Sequence, residues 1–230
     1  MLWHDLAFLH WSVNPDLLRP FIPAGLVIDT WQGQAWLGIV PFRMAGVCPR
    51  RLPARRCAFA FPELNVRTYV RSRDRDGVWF FSLDATSWLS VRVARAWYGL
   101  PYFDARISFN DDGQRIRYAS ERTHRGAPAA ALDLDYGPCG PAARSLPGTL
   151  EHWLTERYAL YSADRRGAVR IGEIDHHPWL LQPGWADIRR LDMTRLLGFD
   201  LPDTPSLVHF ARELDAVAWS MKGVGARNEK

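Results

Sequence analysis

Five side chains that carry charge, a phenol or an amide recur at every second position of one short run: Glu63, Asn65, Arg67, Tyr69 and Arg71. The residues between them are Leu64, Val66, Thr68 and Val70. Successive side chains of a strand point to opposite faces, so the five share one side. The chemistry on offer there is specific. A carboxylate such as Glu63 can serve as acid or base, and a guanidinium fork such as that of Arg67 fits a carboxylate. Two readings stay open: a solvated outer face, or an inner face whose polar groups converge on a ligand. Glu63 and Arg67 are not direct neighbours along a strand, so a bound molecule or a neighbouring strand would have to link them.

Other reactive groups are sparser. Asp175-His176-His177-Pro178-Trp179 invites a metal reading, but adjacent strand residues face opposite ways and two such histidines cannot easily share one ion. One histidine is expected in a pocket wall and the other in solvent, and no metal site is expected. Cys48, Cys57 and Cys139 lack zinc-ligand spacing and form no even disulfide framework, which favours a reduced, cytoplasmic setting. Arg50, Arg51, Arg55 and Arg56 make a basic loop without an aromatic stripe, and a net charge of +4 demands neither nucleic acid nor an anionic membrane. Lys222 and Lys230 are the only lysines. Arginine stays protonated and cannot replace lysine as an amine nucleophile. Gly-x-Gly-x-x-Gly, Walker-type and Gly-x-Ser-x-Gly signatures are absent, so neither a dinucleotide nor any other cofactor is expected.

The elements that must position these groups read mainly as strands. Asn14 caps a short helix that opens on Pro15. Hairpins are expected between 27–31 and 35–40 around Gln32-Gly33-Gln34, between 65–71 and 78–83 across Asp74–Gly77, and between 105–109 and 115–120 across Asn110–Gly113. A further turn is expected at Arg165-Arg166-Gly167, and 132–136 alternates as a strand. The spacing of Trp88, Val91, Ala94 and Tyr98 predicts a helix over 87–98, and that of Leu150, Trp153, Leu154 and Tyr158 one over 149–158. Many short strands with few helices suggest a closed sheet, which also removes edges.

The 230 residues fit one large β-rich domain, expected over 1–222, with a flexible tail over 223–230. Hydrophobic residues at 47% and charged residues at 23% are ordinary for a globular chain. No apolar run reaches membrane-spanning length and no signal peptide is visible. Eleven tryptophans supply bulk for a core or for ligand-pocket walls.

Longer stretches carry a resemblance. Phe61-Pro62-Glu63-Leu64-Asn65-Val66-Arg67-Thr68-Tyr69-Val70, together with Phe8–Trp11, Ala35–Met44, Gly99–Tyr102, Leu154–Tyr158 and His177–Trp179, is similar to a bacterial family known as domain of unknown function 2071. That family sits among acetoacetate decarboxylase-like proteins. The resemblance implies a mainly β fold with short helices, a cone-shaped antiparallel β-barrel around a central cavity, but no established activity. Arg95, Gly99 and Pro101 match the decarboxylase segment Gly-Arg-Glu-Ile-Trp-Gly-Phe-Pro-Lys-Lys, while Ala96, Tyr102 and Phe103 depart from it. Tyr102 and Phe103 stand where the decarboxylases carry the lysine pair that forms a Schiff base.

Glu63 matches the acidic residue facing the decarboxylase pocket. The expected site is therefore Glu63, Arg67, Tyr69, Arg95, Tyr102 and His177, with Glu63 and Tyr102 as candidate acid–base groups. The expected partner is a small carboxylate- or carbonyl-bearing molecule bound without imine chemistry, and homo-oligomerisation stays open. The alternatives are a non-imine lyase, isomerase or decarboxylase-like enzyme using Glu63, and a structural or interaction protein with a filled barrel.

Overall fold

A computed structural model describes residues 1–46, 60–73, 75–87, 91–92, 95, 98–164 and 166–224. Fourteen strands form the framework: β1 (Leu2–Val13), β2 (Val27–Ile28), β3 (Ala35–Ala45), β4 (Ala60–Ser72), β5 (Arg75–Ala85), β6 (Tyr102–Asp111), β7 (Ile116–Arg122), β8 (Ala131–Pro138), β9 (Ala143–Arg144), β10 (Ala159–Ala163), β11 (Val169–His176), β12 (Leu180–Leu191), β13 (Leu207–Ala218) and β14 (Lys222–Gly223). Two short α-helices have every residue described, α1 (Pro15–Leu18) and α2 (Leu150–Thr155). No helix among the described residues is long and apolar enough to cross a membrane.

The pairing makes two closed circuits that share a wall. One runs β5-β6-β7-β8-β12-β13-β1-β3-β4 and returns to β5. The other runs β5-β10-β11-β13-β1-β3-β4 and also returns to β5. The shared strands β1, β3 and β4 are buried on both faces, and each face feeds a different core. Leu9, Trp11, Leu37, Ile39, Leu64 and Val66 join one core with Tyr118 and Tyr136. Leu6, Phe8, Val40, Phe42 and Phe61 join the other with Leu160 and Trp179. The ring is not purely antiparallel as expected. β5 pairs in parallel with β6 at Leu83↔Tyr102 and with β10 at Tyr161↔Trp79, because β5 serves both circuits.

Local chemistry explains where turns fall. The hairpin between β6 and β7 closes as expected, with Gly113 at φ +92 and the Asp112 carboxylate accepting from the N–H groups of Gln114 and Arg115. β10 and β11 turn at Gly167, with φ +80. The hairpin between β4 and β5 turns earlier than expected, since Ser72 pairs with Arg75. Gly77 is inside β5, where a Cβ would lie 2.7 Å from the Ala159 carbonyl oxygen and 2.8 Å from Tyr161. It allows close approach of β10 rather than a turn. Gly77→Ala should therefore lower stability by about 1–3 kcal/mol, read by chemical denaturation. Stability within about half a kcal/mol of the parent would show that β10 yields freely.

Other expectations need correction. β2 pairs with β4, not β3, and the Gln32-Gly33 turn closes only the Trp31–Gln34 bridge. Asp29 follows β2 and is gripped by Arg71 and Arg157, which draws this segment onto β4. α2 ends before Tyr158, after a Thr149 cap that accepts from the His152 N–H. Val91, Arg92, Arg95 and Tyr98 are helical, while Trp88, Ala94 and Trp97 lie outside the described residues. The expected tail is ordered at its start: Gly223 pairs with Arg170, and the Val224 N–H bonds to the Val169 carbonyl. Cys48, Cys57, the four-arginine loop and Lys230 lie outside the described residues.

Candidate cavity and its polar groups

The seven-strand circuit encloses a cavity of about 370 Å³. Its walls come from β1, β3, β4, β5, β10, β11 and β13, and Tyr98, Leu100, Tyr102, Arg157 and Trp179 also line it. Two irregularities aim these walls. Asp5 has φ +57 at a bulge in β1, so that Trp3 on one side of it and Leu6 and Phe8 on the other all line the cavity. Arg43 and Arg212 each bond the Asp5 carboxylate at 2.7 Å, and the Tyr136 hydroxyl donates to its carbonyl at 2.8 Å. The β4–β5 register slips at Phe81, so Val78 and Phe80 line the cavity before the slip and Leu83 after it.

The odd face of β4 is the inner one. Glu63, Asn65 and Arg67 line the cavity. Glu63 is 2% exposed, and the Tyr102 hydroxyl donates to its Oε2 at 3.1 Å. Burial pushes the Glu63 carboxyl up to about 8; the Tyr102 hydrogen bond opposes this and the Asp84 charge adds to it. Glu63 is thus mostly a neutral acid at pH 7. Tyr102 is driven well above the usual tyrosine range, first by burial and then by Glu63. The Tyr118 hydroxyl, from the other core, donates to the Glu63 carbonyl at 2.9 Å and fixes the backbone behind it.

The remaining expected residues divide. Tyr69 shares the face but is fully buried beyond the cavity wall, under Trp153 at 4.9 Å and the Arg157 guanidinium at 5.0 Å. Its hydroxyl and His10 Nε2 share a hydrogen bond of 2.6 Å. Burial holds His10 well below the ordinary histidine range, with Arg67 and His209 acting the same way. Tyr69 is a support, not a wall. Arg95 is exposed; it donates to the Tyr102 carbonyl at 2.6 Å from outside. His177 is exposed, and its neighbour His176 lines the cavity instead. Ile174 and His176 share the inner face of β11, whereas His177 follows the strand and offers its carbonyl to His176 Nδ1 at 2.8 Å.

Arg157 has no role in the sequence-derived site, yet it lines the cavity. It is held by Asp29 at 2.8 Å and by the Trp153 carbonyl at 2.6 Å. Asp29 also accepts from Arg71. The helix expected over 149–158 ends at Thr155, so Arg157 lies beyond α2 rather than on a helix face. Arg67 lies among rings instead: its guanidinium is 5.4 Å from the Phe8 centroid and 5.9 Å from that of Tyr69. Among the described residues it makes no ion pair with a carboxylate. Lys222 is exposed on β14 and is not part of the cavity wall. No cluster of metal-ligating side chains occurs among the described residues.

A family model described as an uncharacterized conserved protein, domain of unknown function 2071, matches residues 1–215. The uncharacterized protein YqjF of Bacillus subtilis (strain 168) is 39% identical over 220 residues, covering 96% of this chain and 90% of that protein. Among solved structures, the enduracididine biosynthesis enzyme MppR complexed with pyruvate is similar at a TM-score of 0.62 and 14% identity, covering 97% of this chain and 89% of that one. An acetoacetate decarboxylase from Legionella pneumophila is similar at a TM-score of 0.62 and 12% identity, covering 97% and 87%. At such identity the likeness establishes a shared fold and leaves function to the site.

Proposed function

The chain belongs to the family of uncharacterized conserved proteins with domain of unknown function 2071, and from that premise we propose that its cavity binds a small organic molecule bearing a carboxylate or carbonyl group, without forming an imine. One observation carries this reading. A hydrogen-bonded Glu63–Tyr102 pair and two arginines, Arg67 and Arg157, lie on the wall of one otherwise largely apolar cavity. Few placed polar groups in an apolar hollow of this size are what small-molecule sites use. The volume favours this over a barrel filled by its own side chains. Two fold neighbours act on or hold such molecules by name: one is a decarboxylase of acetoacetate, and one is complexed with pyruvate. A cytoplasmic setting goes with this reading.

Among the described residues no lysine lines the cavity, and the Met1 amine is bonded to Asp215 and to the Ala216 carbonyl. Incubation with acetoacetate followed by borohydride is expected to leave the intact mass unchanged. A stoichiometric adduct on a residue of the cavity would overturn the non-imine reading, whereas modification of Lys230 would not bear on it. A ligand screen by native mass spectrometry tests binding itself: retention of one small molecule, lost in Glu63→Leu, is expected.

The raised pKa of Glu63 favours a second reading, an acid–base enzyme on the same cavity. Glu63→Gln separates the two. It keeps a donor of nearly the same shape but has no transferable acidic proton. Binding that survives in Glu63→Gln while turnover of the captured molecule disappears supports catalysis; absence of turnover in the parent supports a binding protein.

A further inference from the structure

The two polar poles of the cavity are far apart and unequal in charge, and together they restrict the ligand. Resting on the ligand-binding reading above, we infer that the molecule is an extended, singly charged acid of medium chain length. Its carboxylate lies on Arg67, an oxo group near its other end meets Glu63 and Tyr102, and its apolar chain runs between.

Charge gives the first restriction. The cavity has two guanidinium groups, but Arg157 belongs to a balanced set: it shares the buried Asp29, at 2.8 Å, with Arg71, and Asp76 stands 4.0 Å from Arg157 and 3.8 Å from Arg71, so two arginines meet two carboxylates. Arg67 has no carboxylate of its own among the described residues, and the aromatic faces of Phe8 and Tyr69 only partly compensate it. A charge in such a place needs a counter-charge. Glu63 does not supply it, because its carboxyl is mostly protonated at neutral pH. One uncompensated cation calls for one singly anionic group, and the planar fork of arginine fits a carboxylate. Glu63 already accepts from the Tyr102 hydroxyl, so its own O–H is left to donate, and an oxygen acceptor such as a ketone meets it.

Distance gives the second. Glu63 and Arg67 are four residues apart on one strand face, roughly 13 Å between their Cα atoms at about 3.3 Å per residue. Their side chains diverge further. Glu63 reaches across β5 to Tyr102 on β6. Arg67 reaches the opposite way across β3 to Phe8 on β1, passing over Gly38, where a Cβ would lie 3.4 Å from Arg67 Cγ. Acetoacetate has one carbon between its carboxylate and its ketone and cannot touch both poles. The hollow of about 370 Å³ would also stay largely empty around it. Val40, Phe80 and Leu83 line the stretch between the poles, which suits methylene groups, and Asn65 adds one amide midway along it.

The test is a titration of the whole chain at pH 7 by calorimetry, with tryptophan fluorescence as a second signal because Trp3 and Trp179 line the cavity. Four probes are compared: 7-oxooctanoate, octanoate, 2-octanone and acetoacetate. The oxo acid is expected to bind about tenfold to a hundredfold more tightly than either single-ended eight-carbon probe, the worth of one hydrogen bond involving a charged or strongly polar group. Acetoacetate is expected to bind weakest. Arg67→Gln should bring 7-oxooctanoate down to the level of 2-octanone, and Tyr102→Phe or Glu63→Leu down towards that of octanoate. Far-UV circular dichroism of each variant confirms that the fold is kept. Acetoacetate binding as tightly as the oxo acid, or an oxo acid indifferent to Arg67→Gln, overturns this inference and leaves the ligand-binding reading standing. If none of the four probes binds but the screen captures another small molecule, the inference alone falls. If the screen captures nothing either, both fall.

Discussion

Glu63→Gln is expected to be more stable than the parent at pH 8, with the difference shrinking to nothing by about pH 4. The carboxyl holds its proton up to about 8 in the folded chain, against an ordinary value of 4.5 when free. Between those values the unfolded chain has released a proton that the folded chain keeps, so each rise in pH favours unfolding. The stability this group contributes is whole below 4.5 and lost as pH climbs through 8. Integrated across that window the loss is roughly 3–5 kcal/mol at most. Glutamine has no such proton and should flatten the alkaline side of the profile. Chemical denaturation at intervals from pH 4 to 9 reads the effect directly, and parallel profiles would mean that Glu63 is ionised in the folded protein. His10 acts on the other flank. Its pKa is held well below 6.5 by burial, so below that pH the unfolded chain takes up a proton that the folded chain refuses.

Arg122→Met is expected to cost about 3–5 kcal/mol. Arg122 and Asp84 are each 1% exposed at the side chain and meet through two bonds of 2.7 Å, one from Nε and one from Nη2. The guanidinium also lies 4.1 Å from the Phe103 ring centroid. Removing the arginine strands a carboxylate in the interior. Replacing both partners, in Arg122→Met with Asp84→Leu, should recover much of the loss, because two apolar groups leave no orphaned charge. A double variant as unstable as the single one would show that packing around the pair, not its charge, holds β5 to β7. The pair also reaches the cavity. Asp84 is one of the charges that raise Glu63, so Arg122→Met should push Glu63 higher still, and Asp84→Asn should lower it.

Alternation in β4 made the polar face of the cavity legible, but not which side of the strand it occupied. A period of two says which residues share a face. It says nothing about whether the other face meets water or a second core, and here both faces are covered, so Leu64 and Val66 are as buried as Glu63. Tyr102 was legible through the segment it shares with Gly99 and Pro101. His176 was mistaken for His177 because the strand ends at that point, and a one-residue error at an end exchanges wall for solvent. Arg95 and Tyr69 carry suitable chemistry and stand close by, but each is turned to a supporting hydrogen bond. Trp3 and Leu6 line one cavity only because Asp5 interrupts the alternation between them, a backbone feature set by two arginines far away in the chain. Gly77 read as a turn because an Asp-Gly pair usually is one; the crowding from β10 that requires glycine there is invisible locally.

The closure of both circuits through β13 has a kinetic consequence. β1 is made well before β13, its partner on one side, with Leu2 opposite Asp215. Until β13 has been made, β1 has β3 to pair with and nothing on its other edge, and neither ring is shut. Contacts of such long sequence separation must meet their loop-closure entropy before they return any stabilisation, which slows folding. During synthesis the growing chain therefore carries the unclosed β1 edge and the apolar faces of two unfinished cores. Its hollow is complete only once β13 has docked.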